Sequence, residues 1–320
     1  MRRPGIVVAA AAVAALTLGA LSPSGASAEH APAGHHGTAA RPADVPPPPS
    51  GWDTVFADDF TGAAGSKLDG TNWLYDTGTG YPGGADHWGT GEVETMTDST
   101  DNVYQDGNGH LVIKPTSNGG AWTSGRVETQ RTDLGAPAGG QLQVTASIRQ
   151  PDPANGLGYW PAFWMLGADA RPVGGTNWPG VGEIDILEDV NALSKTDGTV
   201  HCGVNPGGPC NETNGLGSGL LDCGGCQTDF HTYSVVIDRT DTSNEQIRWY
   251  LDGQQTFAVS ESQMDATTWQ NAFDHGFFVI LNVAMGGGFP NGVCGCASPG
   301  ADTTSGADMS VDYVAAYQTK

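Results

Sequence analysis

The sequence predicts an all-β chain folded as a sandwich of two antiparallel sheets. Turn signals recur about every eight to twelve residues, and 48 of the 320 residues are glycine, which supplies the positive-φ positions that tight turns need. Between the turns lie short runs rich in β-branched and aromatic residues. Helical periodicity is nearly absent; one short helical turn is expected between Ser260 and Gln270.

The N-terminus precedes that pattern. Arg2-Arg3, an apolar run from Ile6 to Leu21 and the small residues Ala26-Ser27-Ala28 make a secretory signal peptide over 1–28, with cleavage expected after Ala28. The run is short for a membrane span, and no later apolar stretch is long enough for one. The mature protein is therefore expected outside the cell, secreted and without a membrane partner. Residues 29–50, rich in Ala, Pro and His and ending in four prolines, read as a linker that does not join the core. The pair His35-His36 sits in that tail, where an isolated histidine pair usually binds nothing. Residues 51–320 then form one large domain, with no internal repeat.

Strands are expected at Leu111–Ile113, Gln141–Ile148, Thr232–Ile237, Ile247–Leu251, Phe277–Val283 and Met309–Tyr317. Asp252-Gly253 is a two-residue hairpin signal after Trp249-Tyr250-Leu251. In Tyr159-Trp160-Pro161-Ala162-Phe163-Trp164-Met165, alternation puts Trp160, Ala162 and Trp164 on one face and the core residues Phe163 and Met165 on the other. Two tryptophans on a sheet face either stack on sugar rings or fill a core. All six cysteines (Cys202, Cys210, Cys223, Cys226, Cys294 and Cys296) lie in the second half. Export favours up to three disulfides, and six cysteines allow 15 pairings among which the sequence does not choose. A zinc site built from Cys223-Gly-Gly-Cys226 and Cys294-Gly-Cys296 is the alternative.

The most informative segment is Glu183-Ile184-Asp185-Ile186-Leu187-Glu188. Buried acids are costly unless paired or shifted in pKa, so three among aliphatic residues call for a use. In a strand Glu183 and Asp185 share a face, but Glu188, at an odd offset of five, points the other way. A β-bulge near Ile186-Leu187 brings it back, with Ile184 buried behind the acids. Two carboxyl groups on one face, about 5–5.5 Å apart, suit retaining glycoside hydrolysis. A calcium-binding or purely structural acid cluster is the alternative. The net charge of −22 argues against nucleic acid and anionic membranes as partners and is compatible with a neutral polysaccharide.

The signature resembles glycoside hydrolase family 16, in the bulged form of its laminarinase-like members; lichenase-like members have one residue fewer. The likeness continues in order through Thr123-Ser124-Gly125-Arg126, Trp160-Pro161-Ala162-Phe163-Trp164-Met165-Leu166, Phe230-His231-Thr232-Tyr233, Trp249-Tyr250-Leu251-Asp252-Gly253, Leu281-Asn282-Val283-Ala284-Met285-Gly286-Gly287 and Val311-Asp312-Tyr313-Val314, from about Gly51 to the end. The resemblance implies a concanavalin-like β-jelly-roll with a concave substrate cleft, and retaining endo-hydrolysis of β-1,3-glucan of the laminarin type. It implies Glu183 as nucleophile, Glu188 as general acid/base and Asp185 as the assisting acid. Trp160 and Trp164 would line the cleft; Arg126 and Glu92 match polar positions near the sugar, although a salt bridge within the sheet is the other reading of Arg126. His201 matches a histidine near the active site, and Trp178 either flanks the cleft or caps a loop. No cofactor is implied for catalysis. A structural calcium is implied on the far side, held by Asp312, Asp59 and the Gly109 carbonyl.

The chain departs from the family pattern at residues 201–227, where a Cys- and Gly-rich insertion follows the cleft strand. It is expected to form a disulfide-pinned rim loop and to bear on which glycan is taken. Asn211-Glu212-Thr213 within it is a glycosylation sequon. The alternatives are a same-family enzyme acting on β-1,3-galactan or mixed-linkage β-1,3-1,4-glucan, and a lectin-like module without activity. A monomer is expected.

Overall fold

The β-rich runs pair into two eight-stranded antiparallel sheets in a computed structural model of the chain, which describes residues 45–320. The signal peptide over 1–28 and the His35-His36 pair lie outside the described residues. The outer sheet runs in the order Gln254–Ser260, Gln246–Leu251, His231–Asp238, Gln141–Arg149, Met309–Thr319, Leu111–Ile113, Val103–Gln105, with Trp52–Asp58 also paired to Met309–Thr319. The inner sheet runs Leu216–Gly217, Lys195–His201, Glu183–Glu188, Tyr159–Gly167, Phe277–Met285, Arg126–Thr129, Trp73–Asp76, with Leu221–Asp222 also paired to Lys195–His201. The expected strands are all present, Leu111–Ile113 with the expected bounds and the others lengthened by one or two residues.

Alternation along each strand makes the sandwich. Phe163 and Met165 face inward, as do Ile184, Ile186 and Leu187, and they meet Val144, Ala146, Val235 and Trp249 of the outer sheet in one core. Each fully buried aliphatic or aromatic side chain is worth about 1.5–3 kcal/mol, and these two faces supply most of them. The strand Phe277–Met285 is buried along its whole length because it is covered on both sides. Phe277, Val279, Leu281 and Val283 enter the main core, while Phe278 and Ile280 pack under Leu166, Ala170 and Val181. Asp252 and Gly253 both take positive φ (49° and 75°), the geometry of a two-residue hairpin turn.

The helical turn expected near Ser260 is a 3₁₀ turn, Glu261–Gln263, followed by a helix, Ala266–Phe273, whose N-cap Asp265 accepts a hydrogen bond from the Thr268 amide at 2.9 Å. A second helix, Gly288–Cys294, has no pattern that predicts it, since it contains Pro290 and Gly292. Tertiary contacts hold it: Asn191 Nδ2 donates to the Pro290 carbonyl at 3.0 Å, and Phe289 meets Trp160 edge-on. The linker expected through residue 50 already belongs to the domain at its end. Val45 packs on Tyr313, Ala315 and Tyr317, and the Pro46 carbonyl accepts a hydrogen bond from the Tyr317 hydroxyl. Three short-range disulfides join Cys202–Cys210, Cys223–Cys226 and Cys294–Cys296, so Cys223-Gly-Gly-Cys226 and Cys294-Gly-Cys296 do not share a zinc site. Among the described residues no helix is long and apolar enough to cross a membrane.

Candidate active site

The bulge falls within the acid signature. Opposite Tyr159–Gly167, Leu187 faces Phe163 and Asp185 faces Trp164, so Ile186 is the extra residue. On the other flank the register also shifts between Asp185 and Glu188, which face Thr199 and Asp197. Glu183, Asp185 and Glu188 therefore share the face that carries Leu166, Trp164 and Ala162, and all six line one cleft. The bulge is anchored through the core. Trp249 Nε1, from the outer sheet, donates to the Asp185 carbonyl at 2.6 Å. Gly198, across from the bulge, gives that indole room: a Cβ there would stand 2.4 Å from Trp249 Cδ1.

The three acids differ electrostatically. Burial pushes Glu188 up to about 7, against the pull of Trp160, whose Nε1 donates to Glu188 Oε1 at 2.7 Å. Burial also raises Glu183, but His201, Arg126 and a hydrogen bond from Trp178 favour its charged form. Asp185 is driven well above the usual carboxylate range by burial and then by Glu183 and Glu188. Burial and the neighbouring glutamates thus favour the neutral form of Asp185, and Glu188 is placed to give and take a proton near neutrality.

His201, on the neighbouring strand, sits opposite Glu183. Its Nε2 lies 3.4 Å from Asp185 Oδ2 and 3.8 Å from Glu183 Oε1, and Nδ1 lies 2.8 Å from Glu212 Oε2. Burial disfavours the imidazolium, yet Glu212 and Glu183 outweigh it and push His201 up to about 8. Glu183, Asp185 and His201 are the one grouping of metal-type side chains within 4.8 Å among the described residues. Trp178 tilts over the imidazole at 5.5 Å between ring centres and lines the cleft.

Arg126 lies further along the same cleft and is 4% exposed. Its Nε bonds Asp76 at 3.0 Å, its register partner, and its Nη2 donates to Tyr81 Oη at 2.9 Å. The guanidinium is stacked between Trp88 (4.2 Å) and Trp164 (4.8 Å). The salt bridge within the sheet is thus present, and it fixes Arg126 as part of the cleft wall. Glu92 also lines the cleft, with Oε1 accepting from Thr90 Oγ1 at 2.7 Å; its Oε2 is buried with no protein hydrogen-bond partner, and so is Trp88 Nε1. Behind Glu92 lies Glu94, fully buried and raised well above its ordinary value by burial and then by Glu92. Trp164 Nε1 donates to Asn282 Oδ1 at 2.8 Å.

The sequence reading missed Tyr81, Asp76, Glu94 and Glu212, which stand in segments without a local pattern. It also passed over Asn282, though one polar residue in the apolar run Phe277–Met285 was a usable signal. The cleft encloses about 420 Å³. Asn205 of the insertion reaches it, so the Cys202–Cys210 loop does stand on the rim. On the outer sheet Asp58 pairs with Val314 and Leu111 with Val311, so the strands that end before Asp59 and start after Gly109 flank the strand that carries Asp312.

A family model described as XgeA-like, catalytic GH16 domain matches residues 141–218. The chain is similar to the crystal structure of an endo-1,3-β-glucanase from Streptomyces sioyaensis, at 55% identity over 87% of this chain and 100% of that one, with a TM-score of 0.83. The endo-β-1,3-glucanase of Pyrococcus furiosus matches at 33% identity over 83% of this chain and 94% of its own, TM-score 0.65. A glucan endo-1,3-β-glucosidase A1 of Niallia circulans is 32% identical over 287 residues, 84% of this chain; the chain spans 38% of that relative's length.

Proposed function

Because this chain belongs to glycoside hydrolase family 16, and is a glycoside hydrolase with that family's jelly-roll fold, we propose that it cleaves internal β-1,3 linkages of laminarin-type β-glucan with retention of configuration. The observation that carries the reading is the bulge at Ile186, which turns Glu183 and Glu188 onto one face in unlike surroundings. Glu183, ionised beside His201 and Arg126, attacks the anomeric carbon. Protonated Glu188 gives its proton to the glycosidic oxygen as the bond from carbon to that oxygen breaks, leaving a glycosyl ester on Glu183. A water then gives its proton to Glu188 and its oxygen to the anomeric carbon, the ester bond breaks, and Glu183 leaves as carboxylate. Asp185, two residues along on the same face, is the assisting acid beside Glu183. Trp160, Trp164 and Trp178 offer ring faces to the sugars. Arg126 and Glu92 offer polar atoms for hydroxyl groups, Glu92 through its unpartnered Oε2.

Export is part of the proposal: a signal peptide over 1–28 and three disulfides fit an oxidising, extracellular location. So is a structural calcium. Asp312, Asp59 and the Gly109 carbonyl are an all-oxygen donor set, the kind calcium takes. The expected result of chelation is a lower melting temperature that added calcium restores, with turnover at 25 °C unchanged.

The test of the reaction has two readouts. Reducing-end release on laminarin, curdlan, lichenan, β-1,3-galactan and agarose is expected to be highest on laminarin. NMR of the first product is expected to show the β anomer; an α product excludes double displacement.

A further inference from the structure

The insertion that follows His201, residues 202–227, carries a buried acid into the catalytic site. Glu212 is 6% exposed, and its side chain is fully enclosed. Its Oε1 accepts the Cys202 amide at 2.9 Å and its Oε2 meets His201 Nδ1 at 2.8 Å. Both ends of that grip are pinned. Cys202 follows His201 directly and is tied to Cys210, two residues before Glu212. The Gly207 amide donates to the Glu212 carbonyl at 2.7 Å, closing the loop on itself. Gly215 packs so near that a Cβ would stand 2.9 Å from His201 Cε1.

With Nδ1 held by Glu212, the other ring nitrogen has one direction to face. It points at Asp185 Oδ2 and Glu183 Oε1. A carboxylate on the far nitrogen fixes both the tautomer and the charge of an imidazole. We propose that Glu212 is a positioning residue for catalysis, delivered by the disulfide-pinned insertion to hold His201 as the cation that faces Glu183 and Asp185. The groups facing His201 are Glu183, Asp185 and Glu188 from the signature strand, Glu212 from the insertion and the Trp178 ring; all of the charged ones are acids, and they favour the imidazolium. An ionised Glu183 beside two other acids needs that cation. The insertion would therefore set the pH range of the reaction as well as the shape of the rim.

The inference rests on Glu183 being the nucleophile, and its test separates the two ideas. The full-length protein and its Glu212→Gln variant are compared by pH–rate profile on laminarin and by NMR titration of the His201 ring, assigned with His201→Gln. The ring of the variant is expected to titrate about one pH unit lower. Its kcat at pH 5, where both imidazoles are charged, stays near wild type, and at pH 7.5 it falls by about threefold with KM little changed, so the basic limb moves down. A uniform loss at every pH, or a lower melting temperature with an unmoved basic limb, assigns Glu212 a structural role and overturns the proposal. If the variant does not fold, the wild-type ring still decides: titration at or below the ordinary histidine value of about 6.5 overturns it. An inactive Glu183→Ser with an unmoved Glu212→Gln profile refutes this inference alone, whereas an active Glu183→Ser refutes the reaction it rests on.

Discussion

Two clusters of buried acids meet in one cleft and are held by different bases. Toward one end Asp76 and Glu128 gather around Arg126 and Arg171, with Tyr81 bridging Arg126 to Glu128 and the Glu92–Glu94 pair alongside. Toward the other, Glu183, Asp185 and Glu188 gather around His201. Burial raises the carboxyl groups of both, and in both a cation opposes it. The difference lies in the cation. A guanidinium stays charged at any pH the protein meets, so the arginine cluster is a fixed wall. An imidazolium titrates near neutrality, so the histidine cluster can change its charge during use. The same residue types thus make a fixed wall at one end and groups that titrate near neutrality at the other.

Four experiments test that contrast. The largest effect is expected at the histidine end: Glu183→Ser or Glu188→Gln lowers kcat on laminarin by about a thousandfold or more while the circular dichroism spectrum is unchanged. Near-normal turnover in either variant would remove the acids from the chemistry. At the arginine end the expected loss is of stability. Arg126→Met leaves Asp76 buried without its partner, which costs about 3–5 kcal/mol and lowers the melting temperature by roughly 10 °C. An unchanged melting temperature would show that the wall is not held by charge. Third is the anchor of the bulge: Trp249→Phe strands the Asp185 carbonyl, costs about 1–3 kcal/mol, and is expected to lower kcat by about tenfold with KM nearly unchanged.

The smallest effect is a sign. Glu188 titrates higher folded than unfolded, so ionising it opposes folding, and its contribution falls as pH rises from about 4 toward 7. Glu188→Gln removes that cost. Calorimetry is expected to show the variant melting above wild type at pH 8 and level with it at pH 4. An equal offset at both pH values would mean that the stabilisation is not electrostatic.

Much of this was legible in the residues. The odd spacing from Glu183 to Glu188 required a bulge, and one is found at Ile186. Period-2 alternation placed Trp160 and Trp164 in the cleft and Phe163 and Met165 in the core. Asp252-Gly253 turned as its residue types demand. The helix Gly288–Cys294 was not legible, because its stability comes from Asn191 and Trp160, distant in sequence. Nor was the split role of Arg126, which depends on a strand fifty residues away.

The class of fold and the faces of its strands could be read from the residues, because both follow from local periodicity and residue chemistry. Which cysteines pair, the reach of Trp249 through the core to the bulge, and the meeting of a glutamate from a glycine-rich insertion with His201 emerge only in the folded chain. The reason is physical. A side chain's charge depends on burial and on neighbours brought from far along the chain, and neither is a property of the segment that carries it.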